Sequence, residues 1–95
     1  MKEQNVQTQI KAKLKKVGWL VLKLTVTSYA GFPDLICLRY PGTVAFIEVK
    51  LPGKQPTALQ SHWISLLTKL GFDTRVARSL DDVRDLLSEP QNKTS

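Results

Sequence analysis

The sequence predicts an α/β domain with the element order α-β-β-β-α-β-α and a mixed sheet flanked by helices. Three observations predict this class: apolar residues at helical spacing near both ends, three consecutive strand-like segments between them, and a fourth after the second helix. A chain of 95 residues that is 42% hydrophobic suits one globular domain. We expect that domain to cover residues 1–88, with residues 89–95 as a flexible C-terminal tail.

The first half of the chain predicts one helix followed by three strands. Residues 2–17 carry apolar side chains at near-helical spacing with lysines on the other side. These apolar positions are Val6, Ile10, Leu14 and Val17. Strands are predicted over 19–27, 34–39 and 43–50, the first of them from apolar alternation at Leu20, Leu22, Leu24 and Val26. Because the turn signal Pro41-Gly42 separates the last two strands, we expect an antiparallel meander.

The second half predicts a helix, a short strand and a final helix. A loop over 52–56 leads into a helix over 58–70. The stripe on that helix consists of Leu59, Trp63, Leu66, Leu67 and Leu70. Residues 74–77 are predicted as the fourth strand. Ser79 is expected to cap a last helix beginning at Asp81 and Asp82, since acidic residues stabilise a helix N-terminus.

Positive charge is concentrated in the first half. The net charge is +6, and residues 1–54 hold nine Lys or Arg against three acidic residues, whereas residues 55–95 hold five of each. One surface facing a polyanion such as nucleic acid explains this distribution. A solvated helix face explains the lysines of the first helix equally well.

Cysteine and histidine usage limits the compartment and the metal chemistry. Cys37 is the only cysteine, so no intramolecular disulfide is possible. No secretory signal or membrane-spanning run is present, and we expect a soluble protein of a reducing, cytoplasmic compartment, in a bacterium or a phage-infected host cell. His62 is the only histidine, which excludes a metal site built on histidines.

Three charged residues on neighbouring strands are the candidate catalytic groups. Glu48 and Lys50 lie two apart on one strand, so their side chains share a face. If the hairpin loop has three residues, Asp34 lies directly opposite Glu48, with Cβ atoms roughly 5 Å apart. A two-residue loop would instead place the carboxylates on opposite faces. Two facing carboxylates repel each other, and a hard divalent cation such as Mg²⁺ would offset that repulsion.

The residues around these three resemble a known family. Gly31-Phe32-Pro33-Asp34-Leu35, followed after a hairpin by Glu48-Val49-Lys50, resembles the PD-(D/E)XK nuclease signature. With Gln60 and Trp63 as Q-x-x-W on the next helix, residues 3–83 resemble the virus-type replication-repair nuclease domain, VRR-NUC. The resemblance implies a restriction-endonuclease-like core for the sheet and helices.

The resemblance also implies a role for each matching residue. Asp34 and Glu48 would ligate Mg²⁺ or Mn²⁺ together with the Val49 carbonyl, and Lys50 would orient or activate the attacking water. Gln60 would help to position Lys50, a metal-bound water or the substrate, and Glu3 would contact the metal through water. Two alternatives stay open: Gln60 could simply form a capping box with Thr57, and Glu3 could simply favour the helix N-terminus.

The implied function is a Mg²⁺-dependent, structure-selective DNA endonuclease, in particular a homodimeric Holliday-junction resolvase. A flap or splayed-arm nuclease, or a non-catalytic DNA-binding module with the same fold, are the alternatives. The residues expected to contact DNA are Lys11, Lys13, Lys15, Lys16, Lys23, Ser28, Tyr29 and Lys54.

Overall fold

The computed structural model describes residues 2–25 and 28–89 and confirms the α/β class. Its elements are α1 (Glu3–Lys16), β1 (Leu20–Lys23), β2 (Leu35–Arg39), β3 (Thr43–Val49), α2 (Ala58–Lys69), β4 (Asp73–Ala77) and a 3-10 helix (Leu80–Leu87). The strand order is β1-β2-β3-β4, with the first three strands antiparallel and β4 parallel to β3. The mixed sheet is therefore as predicted. Residues 90–95 of the predicted tail lie outside the described residues.

The main core lies on one face of the sheet, which we call the core face. Alternation along each strand sends every second side chain to this face. Its buried strand residues are Val21, Leu35, Cys37, Ala45, Ile47, Val49 and Ala77. Against them pack Val6, Ile10 and Leu14 of α1 and Val83 and Leu86 of the 3-10 helix. Burial raises the pKa of the Cys37 thiol to about 12, which fits the thiol's place in this apolar layer.

Strand β1 is shorter than predicted, and its apolar alternation does not mark the core face. Val21 is 5% exposed, whereas Leu20 and Leu22 are 55% and 43% exposed. The predicted strand ran to Thr27, and Val26 and Thr27 lie outside the described residues. The alternating leucines line the second face of the sheet, and alternation alone cannot tell which face a helix will cover.

The last element is a 3-10 helix, so the predicted α-helix beginning at Asp81 is wrong in type. Val83 and Leu86 are buried and Leu80 is partly buried, at a spacing of three residues. A 3-10 helix has three residues per turn and aligns that spacing on one side. Ser79 precedes the helix but makes no side-chain cap, and the Asp82 carboxylate accepts a hydrogen bond from the Arg78 N–H at 2.7 Å instead.

Within residues 2–25 and 28–89, no helix is long and apolar enough to cross a bilayer.

Candidate active site

The β2–β3 hairpin brings the two candidate carboxylates together. Arg39 pairs with Thr43 and Leu35 pairs with Ile47, so a three-residue loop closes the hairpin. Continuing this register by one residue places Asp34 opposite Glu48. The two-residue alternative, which would have separated the carboxylates, is excluded. Both acids therefore lie at the end of the hairpin remote from its loop.

Asp34 also contacts the backbone of β3. Its Oδ2 accepts a hydrogen bond from the Val49 N–H at 3.3 Å. The N–H and C=O of one strand residue point to the same side, so the Val49 carbonyl also points toward the β2 side, where Asp34 lies. This direction is compatible with the predicted metal-ligating role of the Val49 carbonyl, which stays a prediction.

Glu48 is a buried carboxylate with unsatisfied bonding capacity. The residue is 2% exposed, and its Oε2 accepts a hydrogen bond from Gln60 Nε2 at 3.1 Å and lies 3.8 Å from Lys50 Nζ. Its Oε1 is buried and has no hydrogen-bond partner among the described residues. Burial, then the charge of Asp34, raises the pKa of Glu48 from 4.5 to about 8, although Lys50 opposes the shift. Ionised Glu48 therefore requires more positive charge than Lys50 alone provides.

A divalent cation fits this arrangement. Two facing carboxylates, one unsatisfied buried oxygen and a nearby carbonyl are the hard oxygen donors that Mg²⁺ and Mn²⁺ prefer. No group of three or more His, Cys, Asp or Glu side chains suited to a metal occurs in the described part of the chain. Asp34, Glu48 and the Val49 carbonyl would leave positions for water and a phosphate oxygen, which is the usual pattern for Mg²⁺.

Gln60 forms the predicted capping box and also contacts Glu48. Its Oε1 accepts a hydrogen bond from the Thr57 N–H at 2.9 Å, and its own N–H donates to the Thr57 hydroxyl at 3.1 Å, which is a complete capping box. Its Nε2 donates to Glu48 at the same time. The cap therefore fixes which end of the amide faces the carboxylate. A role in catalysis stays a prediction.

We predict that Gln60→Glu separates capping from the support of Glu48. The substituted carboxylate can still accept from the Thr57 N–H, but it loses the donor to Glu48 and adds a third negative charge. We expect nicking to fall about 10–100-fold, as for loss of a group that supports a metal ligand, with little change in melting temperature. Thr57→Ala is the matched control, because it weakens the cap by about 1 kcal/mol and leaves the Gln60 amide in place. Equal loss of nicking in both variants would show that only the cap matters.

A cleft opens beside Asp34 at the start of α1. It has a volume of about 400 Å³ and is lined by Lys2, Glu3, Gln4, Gln7, Lys23 and Asp34. Glu3 lies on this cleft, and its charge contributes to the raised pKa of Glu48. Lys2, Gln4 and Gln7 were not predicted as site residues. Gln7 could have been found, since it is a polar residue on the buried side of α1, one turn after Glu3.

The predicted DNA-contacting lysines lie in three places. Lys23 lines the cleft itself. Lys11, Lys13, Lys15 and Lys16 lie farther along α1, about 12–20 Å from Glu3 at 1.5 Å rise per residue. Lys54 is exposed in the loop after β3, where Arg78 Nη2 donates to its carbonyl at 2.8 Å. Arg78 was missed because nothing in the sequence marks a residue in the turn after β4. The phosphate contacts themselves stay predictions.

The loop before Asp34 is held against α2. Tyr29 is exposed and stacks edge-on against Trp63, with ring centroids 5.7 Å apart, and Ser28 beside it is also exposed. Trp63 Nε1 donates to the Ala30 carbonyl at 3.0 Å. Ser28 and Tyr29 therefore lie exposed in the loop before Asp34, and their contact with DNA stays a prediction.

We predict that Gly31→Ala destabilises the protein more than the same change at Gly53. Both glycines have positive φ, +86° and +84°, but a Cβ on Gly31 would lie 2.9 Å from the Leu59 carbonyl carbon, whereas Gly53 has open space. Backbone strain is common to both variants, so the difference isolates the clash. We expect an additional loss of about 1–3 kcal/mol and a melting temperature lower by about 5–15 °C. Equal melting temperatures in a thermal scan would contradict the close packing of this loop on α2.

Comparisons with known proteins agree with this fold. The family model for the VRR-NUC domain matches residues 1–81. "Putative nuclease p44" of Acyrthosiphon pisum secondary endosymbiont phage 1 is 27% identical over 81 residues, covering 85% of this chain and 87% of the phage protein. A solved VRR_NUC domain superposes with a TM-score of 0.81 at 30% identity, covering 90% of this chain and 92% of the other. A second solved structure, a VRR_NUC domain protein, is similar in fold, with a TM-score of 0.73 at 22% identity over 92% and 85% of the two chains.

Proposed function

Because the chain belongs to the VRR-NUC family of nuclease domains, we propose that it is an endonuclease that hydrolyses DNA phosphodiester bonds with Mg²⁺ or Mn²⁺. The observation that carries the proposal is the buried Glu48 facing Asp34, with one oxygen unsatisfied and Lys50 3.8 Å from the other. A protein that only bound DNA would gain nothing from two acids next to phosphates.

Each residue of the site has a separate task in this proposal. Asp34, Glu48 and the Val49 carbonyl would hold the cation, which when bound polarises the scissile phosphate and makes a water more acidic. Lys50 holds the attacking water or stabilises the negative charge that develops on the phosphate. Gln60 keeps Glu48 oriented through the bond to Oε2. The negative charge of Glu3 contributes to the raised pKa of Glu48, and Glu3 would contact the cation through water.

The proposed substrate is branched DNA, and the proposed active species is a homodimer. A four-way junction presents two symmetry-related strands, and two identical sites related by a two-fold axis can nick both. Asp34 opens onto the cleft that Lys2 and Lys23 also line, and these two lysines would attract the phosphates of a DNA strand. A Holliday-junction resolvase is thus the specific form of the proposal.

The experiment incubates the protein with labelled four-way junction, flap and linear duplex, in Mg²⁺ or in chelator. We expect paired, metal-dependent nicks in the junction. Cleavage of the flap or of splayed arms alone would assign a different branched substrate. Binding to the junction without nicking in either condition would identify a DNA-binding module and contradict the proposed hydrolysis.

The salt dependence of junction binding tests the basic surface of α1 separately from DNA cleavage. We predict that junction binding in chelator weakens steeply as salt rises, since each neutralised phosphate releases about one counterion. Replacing Lys15 and Lys16 by Ala should lower the slope of log affinity against log salt by about 2. Replacing Gln9 and Ala12, exposed on the same helix, by Ser is the matched control. An unchanged slope in the lysine variant would show that Lys15 and Lys16 of α1 do not contact DNA phosphates.

A further inference from the structure

The second face of the sheet carries an apolar surface that no helix covers at β1 and β2. Its strand residues are Leu20, Leu22, Ile36, Leu38, Val44 and Phe46, which alternate with the core residues. In the register they form two rows across three strands, Leu20–Leu38–Val44 and Leu22–Ile36–Phe46. Phe46 is 7% exposed, but Leu20 and Leu22 are 55% and 43% exposed. The face is therefore covered at β3 and open toward β1.

Helix α2 borders this surface. Trp63 of α2 packs on Phe32 at 5.2 Å between ring centroids, and Phe32 packs on Phe46 at 5.7 Å. Leu59 lies against the Gly31 loop. These contacts identify the flank of α2 that faces β2. The opposite flank is polar and includes Ser61, Ser65 and Thr68.

Two more leucines continue that apolar flank. Leu66 and Leu70 follow Trp63 by three and seven residues, which places them on the same side of the helix. They are 38% and 65% exposed, and Leu59 is 49% exposed. Phe72, 39% exposed, continues the row and stacks on Phe46 at 5.5 Å. The open sheet face and this flank form one surface, which we call the apolar groove.

The size of the apolar groove fits a protein–protein interface. Six residues contribute exposed fractions of 38–65%, namely Leu20, Leu22, Leu59, Leu66, Leu70 and Phe72. At roughly 180 Å² for a free side chain, they expose on the order of 500 Å² of apolar surface. A standard interface buries about 800 Å² per partner, and about 65% of a homodimer interface is apolar, which is again about 500 Å². A patch of about 500 Å² is as large as the largest apolar patch on a typical monomer, and such patches are often functional.

We propose that the apolar groove binds the same groove of a second copy of this chain. The inference rests on the homodimer of the proposed function and names its surface. The six strand residues of the groove are all apolar, and the charged Asp34 and Glu48 lie one row beyond them on the same face. Two copies related by a two-fold axis can therefore meet through uncharged strand side chains. The chain otherwise carries a net charge of +6, which opposes association through its charged surfaces. A polyanion would not select an apolar surface, so DNA is a poor occupant of the groove.

The test compares neighbouring positions on the two flanks of α2. Leu66→Lys and Leu22→Lys place a cation in the apolar groove, and Ser65→Lys adds the same charge one residue away on the polar flank. Sedimentation in chelator and without DNA should give twice the chain mass of 10.7 kDa for the wild type and Ser65→Lys. Leu66→Lys and Leu22→Lys should sediment as folded monomers, with the fold checked by circular dichroism. A monomeric wild type, or dimers in both groove variants, would overturn the proposal.

If a lysine variant fails to fold, cross-linking of cysteine variants tests the same interface. Leu22→Cys and Ser65→Cys are milder substitutions, and the native Cys37 is buried and shielded from reagent. A short bis-maleimide should join two Leu22→Cys chains and leave Ser65→Cys chains single. The reverse result would contradict the proposal that the apolar groove is the dimer interface. Nicking of DNA is measured separately. Metal-dependent nicking by a monomeric wild type would keep the proposed chemistry and reject only the interface.

Discussion

Replacing Glu48 by Gln is expected to abolish metal-dependent nicking, while junction binding in chelator should stay intact or become tighter. The substitution keeps the shape of the side chain and removes the negative charge that would hold the cation. Without metal the pKa of Glu48 is about 8, so at pH 7 the substitution removes little charge and binding should stay intact. Above pH 8 binding should become tighter, because a negative charge near the phosphates is then lost. We expect a loss of activity of at least about 10³-fold, the scale seen when a group central to transition-state stabilisation is removed. The measurement pairs a nicking assay with an affinity measurement on the same junction.

The control for Glu48→Gln is Asp81→Asn, which makes the same chemical change on the exposed 3-10 helix. It should nick at the wild-type rate. If Glu48→Gln lost junction binding in chelator, Glu48 would be a structural residue. If it nicked normally in Mg²⁺, the proposed metal centre would be wrong.

Replacing Glu48 by Gln should also change how the free energy of unfolding depends on pH. In the folded protein the pKa of Glu48 is raised from 4.5 to about 8, so the folded state retains a proton that the unfolded chain has already lost. Without metal, stability therefore falls as pH rises from about 4.5 to about 8. Glu48→Gln cannot ionise and should lack that fall. In chelator, the difference in melting temperature between the wild type and Glu48→Gln should change by about 5–20 °C from one end of this pH range to the other. This change corresponds to about 1–3 kcal/mol in the free energy of unfolding.

Replacing Lys50 by Ala is the second change with a large expected effect. Lys50 is half-buried and its Nζ lies 3.8 Å from Glu48 Oε2, so its positive charge lies within the site. Loss of a group that orients water or stabilises developing charge costs about 10²–10⁴-fold in rate. We expect the loss in kcat at saturating DNA, with junction affinity in chelator reduced less than tenfold.

Lys54→Ala is the matched control for Lys50→Ala, because it removes the same charge four residues later from an exposed loop. It should weaken binding modestly and leave the rate at saturating DNA unchanged. Normal nicking by Lys50→Ala would contradict the mechanism. A loss confined to affinity would make Lys50 a phosphate-binding residue rather than a catalytic one.

The strands and the carboxylate pair were predictable because local rules determine them. Pro41-Gly42 set the hairpin loop, and the side-chain period of two then placed Asp34 opposite Glu48 once a three-residue loop was assumed. Whether the loop had two or three residues was open from sequence, since Pro-Gly is compatible with both. The structure resolves this through the Arg39–Thr43 pairing.

Other features could not be predicted because tertiary contacts decide them. Leu20 and Leu22 marked β1 as a strand, but alternation did not say which face would be buried, and the helices cover the other side and bury Val21. The final segment became a 3-10 helix because Val83 and Leu86 pack at a spacing of three residues. Gln60 fitted two interpretations equally well, and only its three-dimensional surroundings show that one amide contacts both Thr57 and Glu48.

The most direct test of the metal centre is titration of Mn²⁺ into the metal-free protein at pH 7, followed by calorimetry in two buffers of different ionisation enthalpy. Because the pKa of Glu48 is about 8 without metal, binding should displace its proton, and the wild type should release close to one proton per ion. Glu48→Gln should bind far more weakly and release none. Equal binding and equal proton release in the two proteins would contradict the claim that Asp34 and Glu48 form the catalytic metal centre.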